Sequence, residues 1–295
     1  MNRKSLLIGG AYFLLFSLLF FVVTYWVSIR GVGGGRWRAG DKIALIRIEG
    51  VIVDSKEVVE ELHRYADDQD IKAILLRIDS PGGGVAPSQE IYDEVRRIRE
   101  DDGKKVVTSM GTVAASGGYY IASASDVIVA NPGTLTGSIG VIMELTNVEG
   151  LFEKIGLKSV TIKSGKNKDV GSPFRKMKEE ERALLQNVLD DVHSQFIEAV
   201  SQGRSLEIEA VRSLADGRIF TGRQAKEAGL VDELGSLEAA VERAAELAGI
   251  EGEPLLVETK RIKSFFDLLR NQFLGRWEGP SLPATSVHLK YLFSF

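Results

Sequence analysis

The stretch MGTVAASGGYYIASASD, Met110–Asp126, sets one serine, Ser116, between two alanines and two glycines. Small neighbours let an extended chain approach its hydroxyl. Gly117 and Gly118 permit a sharp strand-to-helix turn, and a helix N-terminus favours developing negative charge. The pattern suits a nucleophile, or an ordinary N-cap serine with packing glycines, and it is not the G-x-S-x-G elbow. A hydroxyl nucleophile also needs a base. The chain has three histidines, His63, His193 and His288, and none falls in a glycine-rich loop at a strand end. A Ser–His–Asp triad is therefore poorly supported. A lysine is left, its amine brought toward neutrality by burial or neighbouring positive charge. The loop IKSGKNKDVG, Ile162–Gly171, offers Lys163, Lys166 and Lys168, and spacing does not choose among them. SPGGGV, Ser80–Val85, follows an apolar strand and could turn backbone N–H groups toward an oxyanion; a plain turn or a phosphate nest would read the same.

Other chemistries lack their residues. With no cysteine, disulfides, thiolate catalysis and zinc–thiolate sites are excluded, which suits an oxidising compartment. No G-x-x-x-x-G-K-[ST] occurs, and Pro87 prevents a G-x-G-x-x-G, so neither nucleotide motif fits. The 37 basic and 41 acidic residues leave a net charge of -4, no electrostatic ground for a nucleic-acid partner. No cofactor and no metal are expected.

The elements that must position these residues read as α/β. Strands are expected at KIALIRIEGVIV, IKAILLRID (Ile71–Asp79), KVVTSM, DVIVA, IGVIMEL and LKSVTIKSG, with helices over 55–66, 87–101, from about Ala115, and around Leu151–Ile155. A long helix is expected from Phe174 to Gln202, with Leu184, Val188, Val192, Phe196 and Val200 on one packed face. A strand, a short helix, a turn and a closing helix follow. Ahead of this, Leu6–Val27 is uncharged over 22 positions. As a helix it would reach about 33 Å, enough for a hydrocarbon core. A cleaved signal peptide is the alternative, but its apolar run should be shorter and no A-x-A site follows. Flanking arginines leave the orientation open. The expected organisation is a stub and anchor over 1–28, a tether over 29–40, one domain over 41–258, and a basic amphipathic segment and tail over 259–295. That last segment could pack on the core or lie on a membrane, and HLKYLFSF could be an edge strand or a loose tail.

SPGGG, ASGGYYIA, LTGSIGV and SGKNKD together, in this order and at these separations, resemble signal peptide peptidase A of the short, single-domain type. That family consists of serine peptidases on the Clp protease/crotonase fold of repeated β-β-α units. The resemblance covers roughly residues 40–250 and the anchor. It implies Ser116 as nucleophile, Lys168 as general base and Ser138 as the hydroxyl that orients the lysine. Gly83 becomes the oxyanion N–H donor, with the N–H of Gly117 as its second. It also implies an endopeptidase for leftover signal peptides and other hydrophobic peptides, in the bacterial cell membrane. The N-terminus would be cytoplasmic and the catalytic domain extracytoplasmic. Identical anchored subunits would form a ring with sites facing a chamber, neighbours contributing parts. Two other classes remain open: a crotonase-like acyl-CoA enzyme and a non-catalytic membrane scaffold.

Overall fold

IKAILLRIDS is buried along most of its length because both faces of its strand are covered. The computed structural model describes residues 41–259 and 290–292, and ahead of them Leu18. In chain order the elements begin β1 (Lys42–Glu49), α1 (Lys56–Asp67), β2 (Ile71–Ser80), β3 (Gly82–Gly84), α2 (Val85–Glu100), β4 (Lys105–Ala115), α3 (Gly117–Ser123), β5 (Val127–Ala130) and β6 (Leu135–Gly137). They continue α4 (Glu149–Lys154), α5 (Glu179–Arg204), α6 (Ile208–Leu214), β7 (Ile219–Thr221), α7 (Gly222–Glu227), β8 (Glu233–Leu234), α8 (Leu237–Leu247), β9 (Leu255–Glu258) and β10 (Lys290–Leu292).

The main sheet runs β7-β6-β4-β2-β1-β9, with β5 on β4 and β8 on β5. Its pairings are parallel except β6 with β7. Alternate strand residues face two different cores. Ala44, Ile46, Ile74, Leu76, Ile78 and Met110 point toward residues of α1, α2, α3 and α5. Ile43, Leu45, Ala73, Leu75, Val107 and Val129 point toward Ala240, Ala244 and Ala245 of α8. Alanines there let the helix approach the sheet closely. A separate antiparallel pair joins β10 to β3.

Four expectations are corrected. LKSVTIKSG forms no strand: Val160 is 83% and Ile162 96% exposed, and the segment pairs with no described strand. IGVIMEL is also outside the named strands; the sheet is continued just before it by β6. The long helix begins at Glu179, after a turn-rich segment, where the Glu181 carboxylate accepts the Lys178 N–H at 3.0 Å. Only its later positions Val192, Phe196 and Val200 are buried, whereas Leu184 and Val188 are exposed. SPGGG is not a bare loop but carries the short strand β3. The anchor (Leu18 apart), the tether, the amphipathic segment and His288 lie outside the described residues. Among the described residues no helix is long and apolar enough to cross a membrane.

Candidate active site

The site is created where β4 changes partner. Its first half lies along β5 (Val107–Met110) and its last residues along β6 (Val113–Ala115). On its other edge the register with β2 shifts between Ile78 and Ser80. Asp79 holds the displacement: its carboxylate accepts the Val113 N–H at 3.0 Å. A methyl on Gly111 would lie 2.7 Å from the Asp79 Cγ, so only glycine permits this approach.

Ser116 ends the strand with φ 53° and ψ −117°, the conformation of the first central residue of a type II′ turn, where glycine is the ordinary occupant. Its N–H donates to the Gly137 carbonyl at 2.8 Å, and its own carbonyl accepts from Tyr120 N–H at 2.8 Å to start α3. It stands at the N-cap, yet its side chain makes no capping hydrogen bond. The N-cap alternative therefore does not account for this hydroxyl. Ser138 follows Gly137 and is also left-handed, at φ 51°, its N–H bound to the Arg218 carbonyl at 2.8 Å. One strand end thus brings both serines to neighbouring turns. Ser138 opens onto a cavity of about 490 Å³ shared with Val141, Leu189, Asp190, His193 and Asp216.

The glycines of β3 lie beside Ser116. Ile52 donates its N–H to the Gly82 carbonyl at 2.9 Å and accepts from Gly84 N–H at 2.7 Å. Because strand groups alternate in direction, the N–H and carbonyl of Gly83 face the opposite edge. A methyl on Gly117 would lie 3.2 Å from the Gly83 nitrogen, and one on Gly82 would lie 2.7 Å from the Gly117 nitrogen. The backbone nitrogens of Gly83 and Gly117 therefore lie close to one another, next to the Ser116 turn. Ser88 supports the edge by donating its hydroxyl to the Gly84 carbonyl at 2.8 Å.

Lys168 lies in the turn-rich segment 157–178 and is exposed. Of the three loop lysines, Lys163 pairs with Asp169 and donates to the Lys166 carbonyl at 2.9 Å, and Lys166 pairs with Glu180 at 2.7 Å. Among the described residues the Lys168 amine makes no hydrogen bond or ion pair, to Ser116 and Ser138 included. Asp169, its sequence neighbour, is turned to Arg175 and Lys163, which hold its carboxyl well below the usual range. Arg175 also clamps Glu181, which is brought to about 2 by that bond and by the backbone N–H of Lys178. His63 sits against Glu94 at 3.1 Å on the helical surface, and His193 has a buried Nε2 with no partner. Neither is bonded to Ser116.

Sequence reasoning missed Ile52 and Ser88; it left Tyr291 in HLKYLFSF as an edge strand or a loose tail, and the structure makes Lys290–Leu292 a strand. Tyr291 is wholly buried opposite Gly83 in the β10–β3 pair. An aromatic in a tail could have signalled burial, but no local pattern names its distant partner.

A mostly parallel sheet that ends β4 in a serine held in glycine geometry fits a Clp protease-like fold, and a Clp protease model matches residues 44–132. The Peptidase family S49 model matches residues 98–251. The chain belongs to peptidase family S49 and is a serine protease. A Synechocystis protein provisionally named a protease, slr0021, is 46% identical over 219 residues, 74% of this chain and 78% of the relative. An Enterococcus faecium protein provisionally named signal peptide peptidase SppA is 40% identical, covering 68% and 62%. Protease 4 of Haemophilus influenzae is 36% identical, covering 70% of this chain and only 35% of the relative.

Proposed function

We propose that this chain is a membrane-anchored serine endopeptidase that cleaves remnant signal peptides and other hydrophobic peptides with a Ser116–Lys168 dyad. The observation that carries the reading is the turn at Ser116, a strained backbone presenting an uncapped hydroxyl beside the neighbouring nitrogens of Gly83 and Gly117. Neutral Lys168 takes the Ser116 proton as Oγ bonds to the scissile carbonyl, whose oxygen becomes an anion held by the two amides. The lysine then returns the proton to the leaving amine, the C–N bond breaks, and an acyl-serine remains. Water, deprotonated by the same lysine, releases the acid and restores Ser116. Ser138 orients the amine. Asp169 does not oppose this role, because its charge is taken up by Arg175 and Lys163.

Leu6–Val27 is the proposed single-pass anchor, with the N-terminus cytoplasmic and the protease domain extracytoplasmic. A signal peptide peptidase name among the relatives is consistent with that setting. The solvent-facing Lys168, and the exposed Val160 and Ile162 before it, support assembly into a ring of identical chains in which this loop reaches a neighbour's Ser116. Co-assembly tests both points. Ser116→Ala and Lys168→Ala chains should each lose turnover of a hydrophobic peptide by about 10²–10⁴-fold. Mixed, they should regain activity if the lysine crosses between subunits. Turnover within twofold of the natural chain in either variant alone refutes the dyad.

A further inference from the structure

Two extended stretches of this chain are left without partners. The first is Val51–Val53, just after β1. Ile52 uses both of its backbone groups on β3, donating its N–H to Gly82 and accepting from Gly84. Strand groups alternate in direction, so those of Val51 and Val53 face away from β3. Among the described residues they make no hydrogen bond. Their side chains are 51% and 80% exposed, and they line a groove of about 370 Å³ together with Ile52, Asp54, Glu57 and Val58. An open edge of this kind is a template for another strand.

The second stretch is Lys158–Ile162, within LKSVTIKSG. Lys158, Val160 and Ile162 alternate with Ser159 and Thr161, the period of a strand with one largely apolar face. The two stretches match in charge as well as in alternation. Laid antiparallel, with Val160 opposite Val53 and Ile162 opposite Val51, the arm carries Lys158 past the end of the short strand toward Glu57, in the first turn of α1. Neither Lys158 nor Glu57 has an ion-pair partner among the described residues. The parallel alternative sets Lys158 against Glu49, which already has Arg47 at 3.9 Å.

Building on the peptidase reading above, we propose that the Val51–Val53 edge of one chain receives the Lys158–Ile162 arm of a second copy as an added antiparallel strand. A strand docked there lies two spacings, about 10 Å, from β3. Lys168 follows Ile162 by six residues, a reach of up to about 20 Å. The pairing therefore brings one chain's lysine within range of the other's Ser116. Edge and arm are different surfaces, so the contact is head-to-tail and repeats from chain to chain, closing into a ring where the rotation allows.

The chain has no cysteine, so introduced thiols report only the intended contact. Full-length Val53→Cys and Val160→Cys chains, co-expressed and treated with oxidised glutathione, should give a disulfide-linked dimer, because facing Cβ atoms in a strand pair lie about 5 Å apart. Either variant alone should give about tenfold less. A second measurement does not depend on the cysteine variants. Glu57→Lys should raise the concentration for half-assembly, read by sedimentation, about tenfold, and adding Lys158→Glu to the same chain should restore it. The proposal is overturned if folded cysteine variants form no linked dimer, or if the link forms only inside a single chain carrying both cysteines. Assembly unchanged by Glu57→Lys, or not restored by Lys158→Glu, overturns it equally. An acylating serine-hydrolase probe on the natural chain keeps the two claims apart. Labelling of Ser116 without the cross-link removes the strand pairing alone, whereas a cross-link without labelling leaves the pairing and removes the peptidase reading.

Discussion

Replacing Ser116 by glycine removes the nucleophile and relaxes the backbone that presents it, so activity and stability should move in opposite directions. At φ 53° and ψ −117° a residue with a Cβ occupies glycine territory, a placement that costs on the order of 1–3 kcal/mol. The side chain caps nothing, so losing the hydroxyl removes little. Against the relief stands the extra freedom of glycine in the unfolded chain, roughly 0.5–1 kcal/mol. The difference leaves Ser116→Gly about 1 kcal/mol more stable, a rise of about 2–4 °C in Tm for a domain of this size. Ser116→Ala keeps the Cβ and the strain, and should melt with the natural chain. Thermal unfolding of purified full-length chains in the same assembly state, run beside peptide hydrolysis, reads both effects. Both variants should be inactive. A glycine variant melting at or below the alanine variant would show that no strain is stored at this turn.

Gly117→Ala puts a methyl 2.6 Å from the Ser88 Oγ and 3.2 Å from the Gly83 nitrogen; kcat on hydrophobic peptides should drop about 10²–10³-fold, the usual loss for one oxyanion donor. Gly203→Ala drives a Cβ to 2.1 Å from the Ser123 carbonyl, where α5 crosses the end of α3; denaturant unfolding should show a loss of about 3 kcal/mol, since backbone cannot yield as a side chain can. The Asp169–Arg175–Glu181 cluster predicts an acid-sensitive loop. Both carboxyls have folded pKa values depressed below the ordinary range, so their contribution is complete above about pH 4.5 and fades as pH falls toward 2. Protection against hydrogen exchange over 163–181, corrected for the intrinsic rate at each pH, should fall across that window, and Arg175→Ala should weaken the dependence, leaving the parts due to Lys163 and the Lys178 N–H.

Local chemistry made much of the site legible. Ser116 among small residues and the glycines of SPGGG declare themselves within a few positions, because small side chains and flexible backbone are local requirements, whereas spacing does not choose among the loop lysines. Strands β1, β2 and β5 were likewise readable from short apolar runs. LKSVTIKSG misled for a physical reason: an alternating pattern records what a segment could bury, not whether an edge is present to receive it. The first half of α5 misled in the same way, since Leu184 and Val188 repeat correctly yet face solvent.

By itself the sequence determined that hydroxyl and amine chemistry was available, that thiol chemistry was absent, and that a long apolar stretch preceded an α/β domain. Only the tertiary structure decided that Ser116 adopts a glycine conformation, that the nitrogens of Gly83 and Gly117 come close together, and that Tyr291 comes back to pair with Gly83. The reason is range. Residue type and spacing act over a few positions, whereas these contacts join segments more than thirty, and in one case more than two hundred, residues apart, through a sheet whose register no single segment encodes.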